Sequence, residues 1–187
     1  MNAIKVRNVE IGAGRPKIIV PIVEKTIEAI AAQGRKLTGE NLDVVEWRVD
    51  FFDDVFDTAK VLMAAKGLRE ALGDIPILFT FRTKKEGGEK AITMAAYTQL
   101  NKAVAESGLV DLVDVEIFSG DAIVAENITN IHRAGAKVVG SNHDFFGTPK
   151  EADLIYRLRK MQDMGADIPK IAVMPKCKKD VLPLLCA

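Results

Sequence analysis

Strand-like and helix-like segments alternate along most of this 187-residue chain, and that alternation limits its possible folds more than any other feature. Short apolar runs rich in Val and Ile, typical of buried parallel strands, are each followed by apolar residues at helical spacing. Six strands are predicted, at 17–23, 42–49, 76–81, 112–117 and 137–143 and around Lys170. Because parallel strands are joined by right-handed crossovers, the helices should lie outside a parallel sheet.

Weaker signals complete this pattern. Residues 4–11 predict a small β-hairpin, and residues 178–187 predict the beginning of a last helix. The segment Thr148-Pro-Lys-Glu151 predicts a capping box, with Pro at the first position of the helix that precedes the sixth strand.

Two α/β architectures fit six strand–helix units: an open doubly wound sheet, or part of a (β/α)8 TIM barrel. The first strand leads out through Pro21-Ile-Val-Glu-Lys25, which has no glycine where a dinucleotide-binding fingerprint would need one. This absence favours the barrel, whose usual size is about 250 residues. We therefore expect residues 1–187 to form a single partial barrel domain with about six of eight units.

Composition excludes several classes of protein. The 26 basic and 26 acidic side chains cancel, which argues against a nucleic-acid partner. No apolar stretch is long enough to span a bilayer, and the N-terminus lacks the apolar region of a signal peptide, so a cytoplasmic protein without a membrane partner is expected. Cys177 and Cys186 lie far from His132 and His143, a spacing that does not suit a zinc site and that favours reduced cysteines.

Lys170 is the first candidate for chemistry, because it interrupts the apolar run of the sixth strand. Burial of an ammonium group favours the neutral amine, which can attack a carbonyl carbon to form a Schiff base. The alternative is that Lys170 lies at a frayed strand end and reaches out to water.

Polar residues recur on one face of successive strands. In a barrel, alternate residues face the interior, and side chains at the carboxyl ends of the strands line the active site. The polar face predicts a pocket for a small hydroxylated or carboxylated molecule, lined by Glu46, Arg48, Arg82, Glu116, His143 and Lys170. For Asp114 and Glu116, an internal ion-pair network without a ligand is the alternative.

The segment 83–89 is charged and contains Gly87 and Gly88. Most such loops are solvated connectors, but Glu86 could instead reach over the pocket and orient a histidine. His143 lies at the end of the fifth strand, beside the strand of Lys170, and is the candidate acid or base, whereas His132 lies late on an amphipathic helix and is expected at the surface.

Four stretches closely resemble the type I 3-dehydroquinate dehydratase family, and the resemblance extends from the hairpin to about residue 182. They are Glu46-Trp-Arg-Val-Asp50, Phe79-Thr-Phe-Arg82 with Glu86-Gly-Gly88, Ser141-Asn-His-Asp-Phe145 and Gly165-Ala-Asp-Ile-Pro-Lys-Ile-Ala-Val-Met-Pro175. The resemblance implies a TIM-barrel hydro-lyase that converts 3-dehydroquinate to 3-dehydroshikimate in the shikimate pathway, without metal or organic cofactor, as a homodimer.

The resemblance also implies roles for individual residues. Lys170 would form the Schiff base, His143 would move the protons, and Glu86 would orient His143. The substrate's hydroxyl groups and carboxylate would be held by Glu46, Arg48 and Arg82.

Two departures from the family pattern leave other functions open. Pro21 replaces a serine that is common in the family's first strand, and strands seven and eight are expected to be absent, together with an arginine, a serine and a glutamine that contact the substrate. One alternative is a truncated inactive or regulatory paralogue that binds shikimate-like acids. The other is a different Schiff-base barrel enzyme, such as a class I aldolase.

Overall fold

The computed structural model describes residues 3–187, in which six parallel strands form one open sheet and each strand pairs with the next along the chain. A doubly wound sheet would reverse its strand order at a switch point, and this sheet does not. The consecutive order confirms the barrel alternative, with six strand–helix units present. A separate antiparallel hairpin precedes the sheet, as predicted.

The strands and helices have the following bounds. The hairpin consists of β1 (Ile4–Val6) and β2 (Val9–Ile11), and the parallel strands are β3 (Ile19–Ile22), β4 (Val44–Arg48), β5 (Ile77–Thr80), β6 (Leu112–Glu116), β7 (Lys137–Asp144) and β8 (Ile168–Val173). The helices are α1 (Ile27–Leu37), α2 (Thr58–Leu72), α3 (Met94–Glu106), α4 (Asp121–Arg133), α5 (Glu151–Asp163) and α6 (Val181–Cys186).

Side-chain caps explain where several helices begin. Thr26, Asp57 and Thr93 each accept hydrogen bonds from backbone N–H groups in the first turns of α1, α2 and α3. The predicted capping box at Thr148 is wrong. The backbone is still extended at Lys150, with φ −62° and ψ 150°, so α5 begins one residue later and Thr148 lies too far away to cap it.

Strand β7 ends close to the predicted position, one residue beyond His143. It continues past Gly140 to Asp144, because it pairs with β8 in parallel register from Val139 with Ile168 to Asp144 with Val173. This pairing holds the segment Ser141 to His143 in an extended conformation beside Lys170.

The two faces of the sheet differ as the alternation of residues predicted. Residues on the outer face, including Val45, Trp47, Phe79, Phe81, Val113 and Val115, pack with the helices in the main hydrophobic core. On the inner face, a smaller apolar cluster of Val44, Leu78, Leu112 and Val139 contacts Val6 of the hairpin. The hairpin therefore covers the amino ends of the strands, and the carboxyl ends remain available for polar residues.

Strands β3 and β8 form the two edges of the sheet. All six residues of β8 are half-buried rather than buried, which differs from the expectation of a fully buried strand and follows from its edge position. Across residues 3–187, no helix is both long enough and apolar enough to cross a membrane.

Candidate active site

The inner face of the sheet becomes polar beyond the apolar cluster that the hairpin covers. The change occurs two residues further along each strand from β4 to β8, toward its carboxyl end. Side chains two residues apart on a strand share a face, so each of these strands adds polar inward positions after its apolar one. The first polar inward residues of the strands are Glu46, Thr80, Asp114, Ser141 and Lys170, and the next are Arg48, Arg82, Glu116 and His143. The structure thus brings together the residues predicted to line the pocket.

Lys170 is only partly buried, and its ammonium group faces a carboxylate. Its Nζ lies 3.4 Å from Oε1 of Glu46, and its side chain is 33% exposed. The Thr80 hydroxyl donates a hydrogen bond of 2.8 Å to the same oxygen. Glu46 is therefore held in place by a neutral donor while it faces the amine.

His143 and Glu86 form a close pair. The imidazole Nδ1 and the backbone nitrogen of His143 each lie 3.0 Å from Oε2 of Glu86. A carboxylate only accepts hydrogen bonds, so a neutral imidazole in this pair carries its proton on Nδ1. The lone pair on Nε2 is then free to accept a proton from a substrate.

Arg82 occupies the centre of a buried ion-pair network. Its guanidinium donates to Asp114 at 2.8 Å, to Glu116 at 3.0 Å and to the Ser141 hydroxyl at 3.0 Å, and the residue is 2% exposed. The internal network considered for Asp114 and Glu116 is thus present, beside Lys170 and His143. Arg82 is directed toward protein carboxylates rather than toward open space.

Burial and neighbouring charges shift the pKa values of this network in opposite directions. Burial acts against ionisation of Asp114, but Arg82 and Lys170 lower its pKa below the ordinary value. Burial and the nearby Glu86 carboxylate raise the pKa of Glu116 above its ordinary value, although Arg82 opposes that shift. Asp114 is therefore the fixed anion of the network, and Glu116 is the carboxylate that accepts a proton more readily.

Arg48 is paired with Asp50, the carboxylate two residues further along the chain. Its Nε and Nη2 donate to the two oxygens of Asp50, each at 2.8 Å. Asp50 is fully buried and also accepts a 3.1 Å hydrogen bond from the backbone N–H of Glu89. Asp50 therefore ties the end of β4 to the loop after β5, a role that pattern alone did not indicate.

The two glycines of that loop allow the backbone to approach other groups closely. Gly87 has φ +83°, and a Cβ atom at Gly88 would lie 1.8 Å from the carbonyl oxygen of Arg82. A side chain at Gly88 would collide with backbone, which cannot rotate away. The loop is thus built for one conformation in which Glu86 is 6% exposed, and it is more than a solvated connector.

The match to known families is specific. A family model described as type I 3-dehydroquinase matches residues 18–187. The chain belongs to the type I 3-dehydroquinate dehydratase family. Enzymes of this family are hydro-lyases, in agreement with the expectation from the four sequence stretches.

Relatives in the 3-dehydroquinate dehydratase family are similar over the whole chain. The 3-dehydroquinate dehydratase of Listeria monocytogenes serotype 4a is 52% identical over 187 residues, which are 100% of this chain and 74% of that protein. The 3-dehydroquinate dehydratase of Klebsiella pneumoniae strain 342 is 48% identical over 186 residues, with the same two shares.

Solved structures agree with this assignment. The type I 3-dehydroquinate dehydratase of Clostridium difficile, crystallised with covalently modified comenic acid, has a TM-score of 0.96 at 49% identity and is matched over 98% of this chain and 73% of its own. A putative deoxyribose-phosphate aldolase from Toxoplasma gondii has a TM-score of 0.61 at 11% identity, over 84% of this chain and 66% of its own. The aldolase shares the fold alone, so it gives no support to the aldolase alternative.

Among residues 3–187, no group of three or more His, Cys, Asp or Glu side chains is arranged to hold a metal ion. Cys177 and Cys186 are exposed and free, so the structure does not join them in a disulfide. His132 lies toward the surface as expected, where it contacts Asp167.

Proposed function

We propose that this chain converts 3-dehydroquinate to 3-dehydroshikimate and water through a Schiff base at Lys170. The observation that carries the proposal is the placement of one amine, Lys170, on the same inner face as the His143–Glu86 pair. The amine would attack the substrate ketone, and loss of water from the adduct would give an iminium ion. The Clostridium difficile relative carries covalently modified comenic acid, which is consistent with covalent capture of a small acid in this family.

His143 is the proposed proton carrier. The iminium ion acidifies the neighbouring carbon, and Nε2 of His143 would accept the proton released from it. The resulting imidazolium would then protonate the leaving hydroxyl group, and hydrolysis of the iminium ion would return free Lys170. Glu86 holds the tautomer in which Nε2 begins without a proton.

The proposed substrate-binding residues are Glu46, Arg48 and Arg82, and each would contribute to binding in a different way. Glu46 faces Lys170 and can accept a hydrogen bond from a substrate hydroxyl. The Arg48 side chain is 22% exposed and keeps donors beyond its pair with Asp50, so it suits a substrate carboxylate. Arg82 is committed to Asp114 and Glu116, and its main contribution is a fixed positive charge beneath the pocket.

The proposal also covers the domain organisation, the location and the oligomeric state of the protein. We propose a single domain that acts in the cytoplasm as a homodimer, in line with the family resemblance. Exposed apolar side chains such as Phe146 and Leu185, 87% and 76% exposed, offer surface for contact with a second copy.

Borohydride trapping tests the chemistry. With 3-dehydroquinate present, reduction should fix a stable adduct that peptide mass spectrometry places on Lys170, and the absorbance of the enone product should appear without borohydride. Lys170→Ala should lose both signals, while Lys66→Ala, at an exposed lysine of α2, should retain both. Absence of an adduct in the unaltered protein would refute the proposal. An adduct without enone would indicate the inactive paralogue, and one formed only with hydroxyketone phosphates would indicate an aldolase.

A further inference from the structure

Asn142 joins the His143–Glu86 pair to helix α5. Its Oδ1 accepts a 2.8 Å hydrogen bond from Nη1 of Arg157, and its Nδ2 donates a 3.1 Å hydrogen bond to Oε1 of Glu86. A guanidinium group only donates hydrogen bonds and a carboxylate only accepts them. The Asn142 amide can therefore satisfy both neighbours in one orientation only, with its oxygen toward Arg157 and its NH2 group toward Glu86.

This fixed amide determines how the Glu86 carboxylate is turned. With Oε1 held by Asn142, Oε2 is the oxygen that accepts from His143. Arg82 lies on another side of the carboxylate, with Nη1 3.7 Å from Oε2, and it would compete for that oxygen if the carboxylate were free to rotate. The Asn142 contact therefore favours the pair with His143 over a closer pair with Arg82.

Arg157 is itself held in place by a second contact on β7. Both of its terminal nitrogens lie 3.3 Å from Oδ2 of Asp144, two residues beyond Asn142 on the same strand face. The Arg157 side chain is 22% exposed and borders a cleft of about 260 Å³. Water from the cleft can fill the space left by the guanidinium group, so the contact can be removed without leaving a buried void.

We propose that Arg157 and Asn142 are positioning residues that act through Glu86 to keep the proton of neutral His143 on Nδ1. The catalytic consequence rests on the proposed function, in which Nε2 of His143 accepts the substrate proton. When Arg157 is removed, the Asn142 side chain loses the donor that anchors its oxygen and is free to rotate away from Glu86. The carboxylate can then turn toward Arg82, and His143 populates the tautomer whose Nε2 already carries a proton.

Nitrogen NMR of protein labelled with ¹⁵N-histidine tests this without any substrate. The spectra are recorded at alkaline pH, and the tautomer is read from the chemical shifts of the two ring nitrogens. His132 is a built-in reference of opposite tautomer, because its Nε2 lies 2.7 Å from the Asp167 carboxylate. We expect Arg157→Met and Asn142→Ala each to shift His143 toward the Nε2–H tautomer and to leave the His132 signals unchanged.

Arg159→Met is the matched control, because Arg159 is an exposed arginine on the same helix and makes no hydrogen bond or ion pair in the described part of the chain. It should leave the His143 tautomer unchanged. If Arg157→Met fails to fold, the His132 signals will show this, and Asn142→Ala then decides. Retention of the Nδ1–H tautomer by His143 in the folded variants would overturn the inference.

Kinetics separate this inference from the proposed function. Arg157→Met should lower kcat about tenfold with KM changed less than twofold, a fraction of the 10²- to 10⁴-fold that general-base catalysis contributes. A tautomer shift in a protein that shows no borohydride adduct at Lys170 would refute the proposed function and leave the positioning role standing. An unchanged kcat with a shifted tautomer would overturn the catalytic role of these two residues.

Discussion

Replacement of Arg82 by Met should strongly destabilise the fold, because Arg82 is the buried cation shared by two buried carboxylates. Asp114 is 0% exposed and Glu116 is 2% exposed, at 2.8 and 3.0 Å from the guanidinium. Removal of one partner of a buried ion pair costs about 3–5 kcal/mol. For a protein of this size, each kcal/mol lowers Tm by about 2–4 °C, so the variant should melt roughly 6–20 °C lower.

Urea and thermal unfolding followed by circular dichroism would measure this loss. Asp114→Asn added to Arg82→Met should recover part of it, because one uncompensated charge is removed. Lys102→Met, which breaks an exposed pair with Glu106, is the control and should cost no more than about 1 kcal/mol. The gap between Arg82→Met and the unaltered protein should narrow from pH 8 to pH 5, as the stranded carboxylates take up protons. A loss below about 1 kcal/mol, or a gap that does not depend on pH, would refute the reasoning.

Two further substitutions test other parts of the structure. Gly88→Ala should lower kcat on the order of 100-fold by displacing the loop that carries Glu86, whereas Gly39→Ala, where a Cβ meets only one atom at 3.9 Å, should have little effect on steady-state rates. Asp167→Asn should lower the free energy of unfolding by about 1–3 kcal/mol at pH 7. Burial opposes ionisation of Asp167, but hydrogen bonds from the backbone of β7 and from His132 lower its pKa below the ordinary 3.8. Its stabilising effect should therefore be present above about pH 4 and disappear as the pH falls further, so denaturation curves of the two proteins that stayed apart at pH 2 would contradict the assignment.

The sequence predicted those features of the structure that depend on residues close together in the chain, and it missed those that depend on contacts between distant segments. The alternation of Glu46 with Trp47 needs only the two-residue period of a strand, and it correctly predicted which side chains face the interior. The contact between Arg157 and Asn142 depends on how α5 lies against β7, which no local pattern specifies. Thr148 failed as a cap for a similar reason, because the sequence could not show that the chain stays extended through Lys150.

Within the candidate site, too, the sequence could not show which contacts distant segments would make. Arg48 and Arg82 are both inward arginines at strand ends, and the sequence treated them alike. The structure distinguishes them, because Arg82 has two buried carboxylates around it and Arg48 has one, with part of its side chain exposed. Which arginine is free to meet a ligand is thus decided by where neighbouring strands place their acids.

The balance of charge in the interior favours a cationic intermediate at Lys170. Five carboxyl groups surround three cationic side chains: Glu46, Asp50, Glu86, Asp114 and Glu116 against Arg48, Arg82 and Lys170. The iminium ion carries a positive charge when it forms, loses that charge when the neighbouring carbon gives up its proton, and regains it when the hydroxyl group leaves, whereas a nucleophilic amine is uncharged. Fixed anions of this kind stabilise the iminium without needing to reorganise, with Glu46 and Asp114 the acids whose charges act on Lys170. Under the proposed function, the same excess of acid would repel the substrate carboxylate, which favours its binding away from Lys170, toward the part of the pocket where Arg48 is exposed.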